Sequence, residues 1–212
     1  MSIIRSEQSD TNYSVENTLN VCVHSSYLNG RGDISIYNSS TKKERLAVVL
    51  LLHGVYGSHW SWMYSGGVHW VYERLKRSGI NEFALVMPSD GGLLSGSAYL
   101  PTKQHGNYER WIVEDVMEAA KIHIAGVDEN SNYYLAGLSM GGYGALRLGA
   151  KYPNLFKALS GLSSITDIKQ MGMFVDENLE AYACENNNDP SVIHWMRVNK
   201  HELPEFRFDC GR

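Results

Sequence analysis

Segments with the hydrophobic spacing of strands alternate with segments that have the spacing of helices along this chain of 212 residues. Residues 46–52 form a continuous apolar run, which is typical of a strand buried on both faces of a sheet. Shorter apolar or alternating runs predict further strands at 33–37, 82–87, 132–136, 156–160 and 205–210. A helical period predicts helices over 68–77, 107–123 and 142–150. Strands that alternate with helices predict an α/β fold, with a mostly parallel sheet covered by helices on both faces.

Residues 166–203 break this alternation, and they include a polar loop at 186–190. We find no internal repeat and no Pro- or Gly-rich linker along the chain. The sequence therefore predicts a single domain over residues 1–212, with a lid or insertion at 166–203.

Composition narrows the classes of partner. The formal net charge is -4. The charges of both signs are interspersed, so there is no basic stripe for nucleic acid and no polybasic patch for a membrane surface. No run approaches the roughly 18 apolar residues of a spanning helix, and residues 1–12 lack the apolar core of a signal peptide. The three cysteines are widely spaced, which indicates neither a disulfide framework nor a metal cluster, and we expect no metal or organic cofactor. These features favour a cytoplasmic protein that acts on a small molecule.

Residues 137–141 read G-L-S-M-G and place Ser139 where a predicted strand turns into a predicted helix. This is the context of the nucleophile-elbow motif, in which the serine has a strained backbone and the flanking glycines avoid collisions. The alternative is an ordinary glycine-rich turn between a strand and a helix. The motif predicts Ser139 as a catalytic nucleophile.

A serine nucleophile also needs donors for the oxyanion that forms on the substrate carbonyl. The backbone N–H of Met140 is one candidate, because it lies at the start of the predicted helix. The second candidate lies in the loop after the strand at 46–52, which reads H-G-V-Y-G over 53–57. We predict that Val55 supplies this N–H.

Three motifs carry a resemblance to a known family: L-L-H-G-V-Y-G at 51–57 followed by Trp62, V-M-P at 86–88, and A-G-L-S-M-G-G-Y-G-A at 136–145. From Ile34 onward the chain resembles the esterase D-like branch of the α/β-hydrolases, which includes S-formylglutathione hydrolases, feruloyl and acetyl-xylan esterases and the antigen 85 acyltransferases. The resemblance implies Ser139 as nucleophile and the N–H groups of Met140 and Val55 as oxyanion hole.

The resemblance also implies an acid and a histidine after the nucleophile. In relatives the acid follows a segment similar to 208–211, and the histidine comes later still. This chain ends at Arg212, so we expect a C-terminally truncated member whose own activity is in doubt. Weaker candidates within the chain are Asp209 as the acid and His194 or His201 as the base.

Two further histidines have structural interpretations. We expect His53 to make a structural hydrogen bond in the turn before Val55, and His105 to lie in a surface loop.

Three functional hypotheses remain. The first is a serine carboxylic-ester hydrolase that acts on a small-molecule ester through an acyl-enzyme on Ser139. The second is an acyltransferase, which differs only in the acceptor of the acyl group. The third is an inactive, hydrolase-like binding or interaction protein. The sequence leaves the acyl and alcohol groups open, and it also leaves open assembly into a homo-oligomer.

Overall fold

The computed structural model describes residues 2–92, 94–184 and 186–211. Its strands, in chain order, are β1 (Ile3–Gln8), β2 (Thr18–Ser25), β3 (Gly30–Tyr37), β4 (Ala47–Leu52), β5 (Phe83–Pro88), β6 (Pro101–Thr102), β7 (Gly106–Asn107), β8 (Tyr133–Leu138), β9 (Ala158–Leu162) and β10 (Glu205–Asp209). The short strands β6 and β7 pair only with each other. The other eight form one mixed sheet.

The order of strands in the sheet is β1-β2-β3-β5-β4-β8-β9-β10. The five strands from β5 to β10 in this order are parallel, and β1, β2 and β3 extend the sheet in antiparallel pairing. The apolar run predicted at 46–52 is β4 at the centre of the sheet, where Leu50 pairs with Val86 on one side and Leu135 on the other. Burial on both faces explains why this strand has no polar position.

The helices are α1 (Ser61–Tyr64), α2 (Val68–Arg77), α3 (Tyr108–Arg110), α4 (Met117–His123), α5 (Met140–Lys151) and α6 (Val192–Val198). Two 3₁₀ turns span Ile168–Met173 and Leu179–Tyr182. Residues of α1 and α2 pack on one face of the sheet, and α3, α4, α5 and α6 contribute to the core on the other. The prediction of an α/β fold with a mostly parallel sheet and helices on both faces is confirmed. No helix in the described parts of the chain is long and apolar enough to cross a membrane.

The two faces have separate cores. On one face Met63 of α1 and Tyr72 of α2 pack against Leu85 and Met87 of the sheet. The larger core lies on the other face and includes the fully buried Trp111. Burying a large apolar side chain contributes about 1.5–3 kcal/mol, so both layers hold the sheet in place.

The predicted helix at 107–123 is interrupted. Asn107 caps it as predicted, since its side chain accepts a hydrogen bond from the N–H of Arg110 at 2.9 Å. Residues Trp111–Val116 then form a π-helical turn before α4 begins. The Trp111 indole N–H donates to the carbonyl of Ser89 at 2.8 Å, so this turn is fixed to the end of β5.

The N-terminal strand β1 was not predicted. It is an edge strand with much of its surface exposed, and Ile4 is 73% exposed, so it has no hydrophobic period to detect. Hydrogen bonds help to hold it: Ser2, just before β1, and Ser25, in the paired strand β2, both donate to the buried Asp115, and His123 contacts Gln8 of β1 at 2.8 Å. Polar contacts to α4 and the π-helical turn therefore add to the pairing of β1 with β2 and to the packing of Ile3 against the core.

Helix α6 lies within the segment 166–203, which we expected to be a lid or insertion. The Ser191 side chain caps it by accepting from the N–H of His194 at 3.0 Å. Its C-terminal Asn199 donates to the carbonyl of Ala150 in α5 at 2.8 Å, and Val192 is buried. The second half of the segment thus packs beside α5.

Candidate active site

The parallel strands end at one edge of the sheet, where α/β proteins commonly bind ligands. Ser139 directly follows β8 at this edge, and its N–H donates to the carbonyl of Leu162 at the end of β9 at 2.9 Å. Ser163 in turn donates its N–H to the carbonyl of Asp209 at the end of β10, at 2.6 Å. These bonds tie three strand ends together around Ser139.

The backbone of Ser139 is strained, with φ 55° and ψ -115°. A β-carbon on Gly137 would lie 2.1 Å from the carbonyl oxygen of Gly141, in α5. A β-carbon on Gly141 would lie 2.2 Å from the carbonyl oxygen of Leu52, at the end of β4. The expected backbone conformation of Ser139 and the expected need for glycine on either side are therefore both present.

Met140 is the first residue of α5, a helix of 12 residues. Its N–H has no acceptor within the helix, because the first amides of a helix have no preceding turn. The Met140 side chain is fully buried, and its sulfur fills the space beside Gly96, where a β-carbon would lie 2.4 Å away. Packing therefore fixes the start of α5 next to Ser139, where the helix dipole favours negative charge.

The loop after β4 approaches Ser139 directly. A β-carbon on Gly54 would lie 3.5 Å from the Ser139 β-carbon. Among the described residues, no hydrogen-bond acceptor is recorded for the N–H of Val55, whereas the N–H of Tyr56 donates to the carbonyl of Ser95 at 2.8 Å. The structure thus brings Ser139, Met140 and the Gly54–Val55 peptide to the same strand edge.

A segment distant in sequence lies against this loop. Glu177 accepts two hydrogen bonds through one carboxylate oxygen, from the N–H and the hydroxyl of Ser95, each at 2.7 Å. The hydroxyl of Ser95 is the main cause that lowers the pKa of Glu177 below its usual value. The Tyr56 hydroxyl also donates to the carbonyl of Phe174. Sequence reasoning missed Ser95 and Glu177, because neither belongs to a motif or a periodic segment.

Behind the loop lies a buried polar group that we also did not predict. The Asp90 carboxylate accepts from the N–H groups of Ser97 at 2.6 Å and Gly92 at 3.2 Å. The Tyr99 hydroxyl donates to the carbonyl of His53 at 3.0 Å. Burial raises the pKa of Tyr99 well above its ordinary value, and the nearby Asp90 raises it further, so Tyr99 remains a donor. The only signal in the sequence is the glycine-rich stretch that follows Pro88.

The candidate bases do not meet Ser139. The His194 ring packs edge-on against Trp195 with 5.0 Å between ring centroids, and His201 is exposed. No hydrogen bond joins the Ser139 hydroxyl to any histidine or carboxylate in the described ranges 2–92, 94–184 and 186–211. The Asp209 carboxylate forms an ion pair with Arg207 at 2.6 Å, on the outermost strand.

Two further histidines lie elsewhere. His105 is half-buried in the loop between β6 and β7, and its carbonyl accepts from the Tyr108 hydroxyl at 3.2 Å. The His53 imidazole makes structural hydrogen bonds, as predicted. The described residues contain no group of three or more His, Cys, Asp and Glu side chains that could hold a metal ion.

Comparison with known proteins identifies the family. The model of the family described as "Putative esterase" matches residues 25–201. An acetyl esterase from Caldicellulosiruptor saccharolyticus is 26% identical over 193 residues, which is 83% of this chain and 69% of the relative.

Solved structures agree on the fold. The fluorophosphonate-binding serine hydrolase F of Staphylococcus aureus matches with TM-score 0.75 and 18% identity, over 92% of this chain and 79% of the other. An S-formylglutathione hydrolase from Agrobacterium tumefaciens matches with TM-score 0.73 and 18% identity, over 100% of this chain and 80% of the other. The chain therefore belongs to the putative-esterase family, the esterase D-like group that its motifs predicted, and it is a carboxylic-ester hydrolase.

Proposed function

We propose that the protein hydrolyses small-molecule carboxylic esters through an acyl-enzyme formed on Ser139. The observation that carries this proposal is the strained turn of Ser139, at the strand edge where the start of α5 and the Gly54–Val55 peptide converge. Such a turn exposes a serine hydroxyl, and the strain it stores is typical of functional sites.

In the proposed reaction the Ser139 Oγ attacks the ester carbonyl, and its proton passes to a base supplied by the solvent, because none of the described histidines contacts the hydroxyl. The N–H groups of Met140 and Val55 stabilise the oxyanion, and each donor of this kind contributes about 3–4 kcal/mol to the transition state. Collapse of the intermediate releases the alcohol and leaves an ester on Ser139. Water then attacks that ester and releases the acid. The proposal assigns the general base to none of the described histidines.

We also assign a lid role to the first half of the segment 166–203. Two contacts support this role. The Tyr56 hydroxyl donates to the Phe174 carbonyl and holds the segment against the loop that carries Val55. Glu177 accepts from Ser95, whose carbonyl accepts from the N–H of Tyr56 in that loop. The second half, with α6, packs on α5 and belongs to the scaffold.

The test is hydrolysis of p-nitrophenyl acetate by the protein and by its Ser139→Ala variant, with Ser78→Ala as control because Ser78 is exposed at the end of α2. We expect Ser139→Ala to lose the turnover that proceeds through the acyl-enzyme, and Ser78→Ala to retain it. Labelling with a fluorophosphonate probe, followed by mass spectrometry of the modified peptide, should place the adduct on Ser139.

Turnover that survives in Ser139→Ala would contradict the proposal. A protein with neither turnover nor labelling would instead be a hydrolase-like binding protein. Adding an alcohol acceptor to the assay distinguishes the acyltransferase alternative, because transfer yields a new ester in place of the free acid.

A further inference from the structure

The His53 imidazole is held by two hydrogen bonds that define which nitrogen carries the proton. Its Nδ1 lies 2.7 Å from the carbonyl oxygen of Gly54. Its Nε2 lies 3.2 Å from the backbone nitrogen of Asp90. A carbonyl oxygen can only accept and a backbone N–H can only donate. The two hydrogen bonds therefore assign the imidazole proton to Nδ1, and the Asp90 carboxylate oxygen, at 3.7 Å from Nε2, lies beyond hydrogen-bond distance.

The Gly54 carbonyl belongs to the same peptide unit as the Val55 N–H. The described chain has no cis peptide bond, so this N–H points away from the carbonyl across a planar unit. The carbonyl accepts from His53 Nδ1 at 2.7 Å and from the N–H of Gly57 at 3.1 Å. Two donors on one face of the loop thus fix the direction of the N–H on the other.

Packing keeps the His53 ring in this orientation. A β-carbon on Gly57 would lie 2.8 Å from His53 Nδ1, so the second glycine of the loop leaves room for the imidazole. The Tyr99 ring packs edge-on against His53 with centroids 5.9 Å apart, and its hydroxyl holds the His53 carbonyl at 3.0 Å. The His53 side chain is buried, and the Asp90 backbone that donates to Nε2 is held through its own carboxylate by Ser97 and Gly92.

We propose that His53 is a positioning residue that orients the Gly54–Val55 peptide so that the Val55 N–H faces the oxyanion. This inference rests on the proposed function, since it assumes that Ser139 forms an oxyanion beside Val55. His53 acts through the peptide and does not touch the substrate. Its Nδ1–H is the essential group, and its Nε2 serves to select the tautomer.

Two variants separate the two hydrogen bonds. In His53→Asn the side-chain amide places an N–H donor near the position of Nδ1, but nothing reaches the Asp90 N–H. In His53→Gln the amide oxygen reaches the position of Nε2, but the donor to the Gly54 carbonyl is lost. Both variants replace the ring with an amide, so a loss of packing affects both.

We expect the rate at which a fluorophosphonate labels Ser139, and kcat for p-nitrophenyl acetate, to fall about 10–100-fold in His53→Gln, which is part of the effect of removing an oxyanion donor. KM should remain within about twofold, because the oxyanion donor acts mainly in the transition state. His53→Asn should keep most of the rate. Equal losses in both variants would overturn the inference.

Nuclear magnetic resonance tests the same point without activity. In the unaltered protein, the imidazole nitrogen shifts should report a proton on Nδ1 of His53, and a proton on Nε2 would overturn the inference. The amide resonance of Val55 should shift or broaden in His53→Gln and stay close to its original position in His53→Asn. If the unaltered protein shows no reaction at Ser139, the proposed function fails, and these spectra still decide whether His53 fixes the peptide.

Discussion

The carboxylate of Glu109 lies 2.7 Å from the guanidinium of Arg147, and both side chains are buried. Lys151 approaches the same carboxylate at 2.9 Å, and the Tyr152 hydroxyl donates to it at 2.5 Å. Arg147 also donates to the carbonyl of Tyr99 at 2.8 Å. This group joins α3 and α5 to Tyr99, whose hydroxyl donates to the His53 carbonyl. It therefore supports the loop that carries Val55.

Removing the charge of Glu109 should destabilise the protein strongly. In Glu109→Gln the buried Arg147 loses its counter-charge, and such a loss costs about 3–5 kcal/mol of the free energy of unfolding. Urea denaturation measures this change in the free energy of unfolding. Glu118→Gln is the matched control, because Glu118 forms a half-exposed surface pair with Lys121 at 2.6 Å, and its loss should cost less than about 1 kcal/mol. Similar midpoints for the two variants would show that the buried group contributes little.

The lowered pKa of Glu109 predicts that the stability of the protein depends on pH. Burial alone would raise the pKa of Glu109, but Arg147, Tyr152 and Lys151 outweigh it and lower the pKa below the ordinary value of 4.5. Since the folded-state pKa is below the unfolded-state pKa, the stabilisation is complete above about pH 4.5 and is lost as the pH falls through the folded-state value. Urea denaturation from pH 7 to pH 3 should therefore show a steeper acid loss for the unaltered protein than for Glu109→Gln. Parallel curves would contradict this prediction.

The glycines around Ser139 should not tolerate a methyl group. Gly137→Ala brings a β-carbon to 2.1 Å from the Gly141 carbonyl oxygen, which is backbone and cannot rotate away. We expect a loss of about 1–3 kcal/mol or more in the free energy of unfolding. Gly172→Ala is the control, because its β-carbon would meet Leu179 at an ordinary 3.6 Å. Equal melting temperatures for the two variants would contradict the crowding at Gly137.

Glu177→Ala should release the segment at 174–182 from Ser95, whose carbonyl accepts from the N–H of Tyr56. It removes two hydrogen bonds to a charged acceptor, and each bond of this kind contributes about 1.5–3 kcal/mol. Hydrogen exchange of the amides in this segment should accelerate, while exchange in β4 and β8 stays unchanged. Asp176→Ala is the control, since Asp176 is the exposed neighbour. Unchanged exchange in Glu177→Ala would count against the lid role.

The sequence predicts the motif around Ser139, but it does not predict the residues that hold this motif in place. The apolar run of β4 and the glycines beside Ser139 are recognisable because each constraint acts within a few residues: burial on both faces, or a collision with the next turn of the chain. Glu177 meets Ser95 across 82 residues of chain, and no local pattern marks such a pair. Edge strand β1 was missed because most of its residues are exposed, which leaves no hydrophobic period in it.

The backbone at Ser139 shows where selection for stability and selection for function diverge. A residue with φ 55° and ψ -115° is strained in any amino acid except glycine. A library of variants screened only for resistance to heat should therefore become enriched in glycine at position 139, whereas a library screened for ester cleavage should retain serine there. The difference between the two populations would express, in evolutionary terms, what the protein gives up in stability to keep a hydroxyl group at this turn.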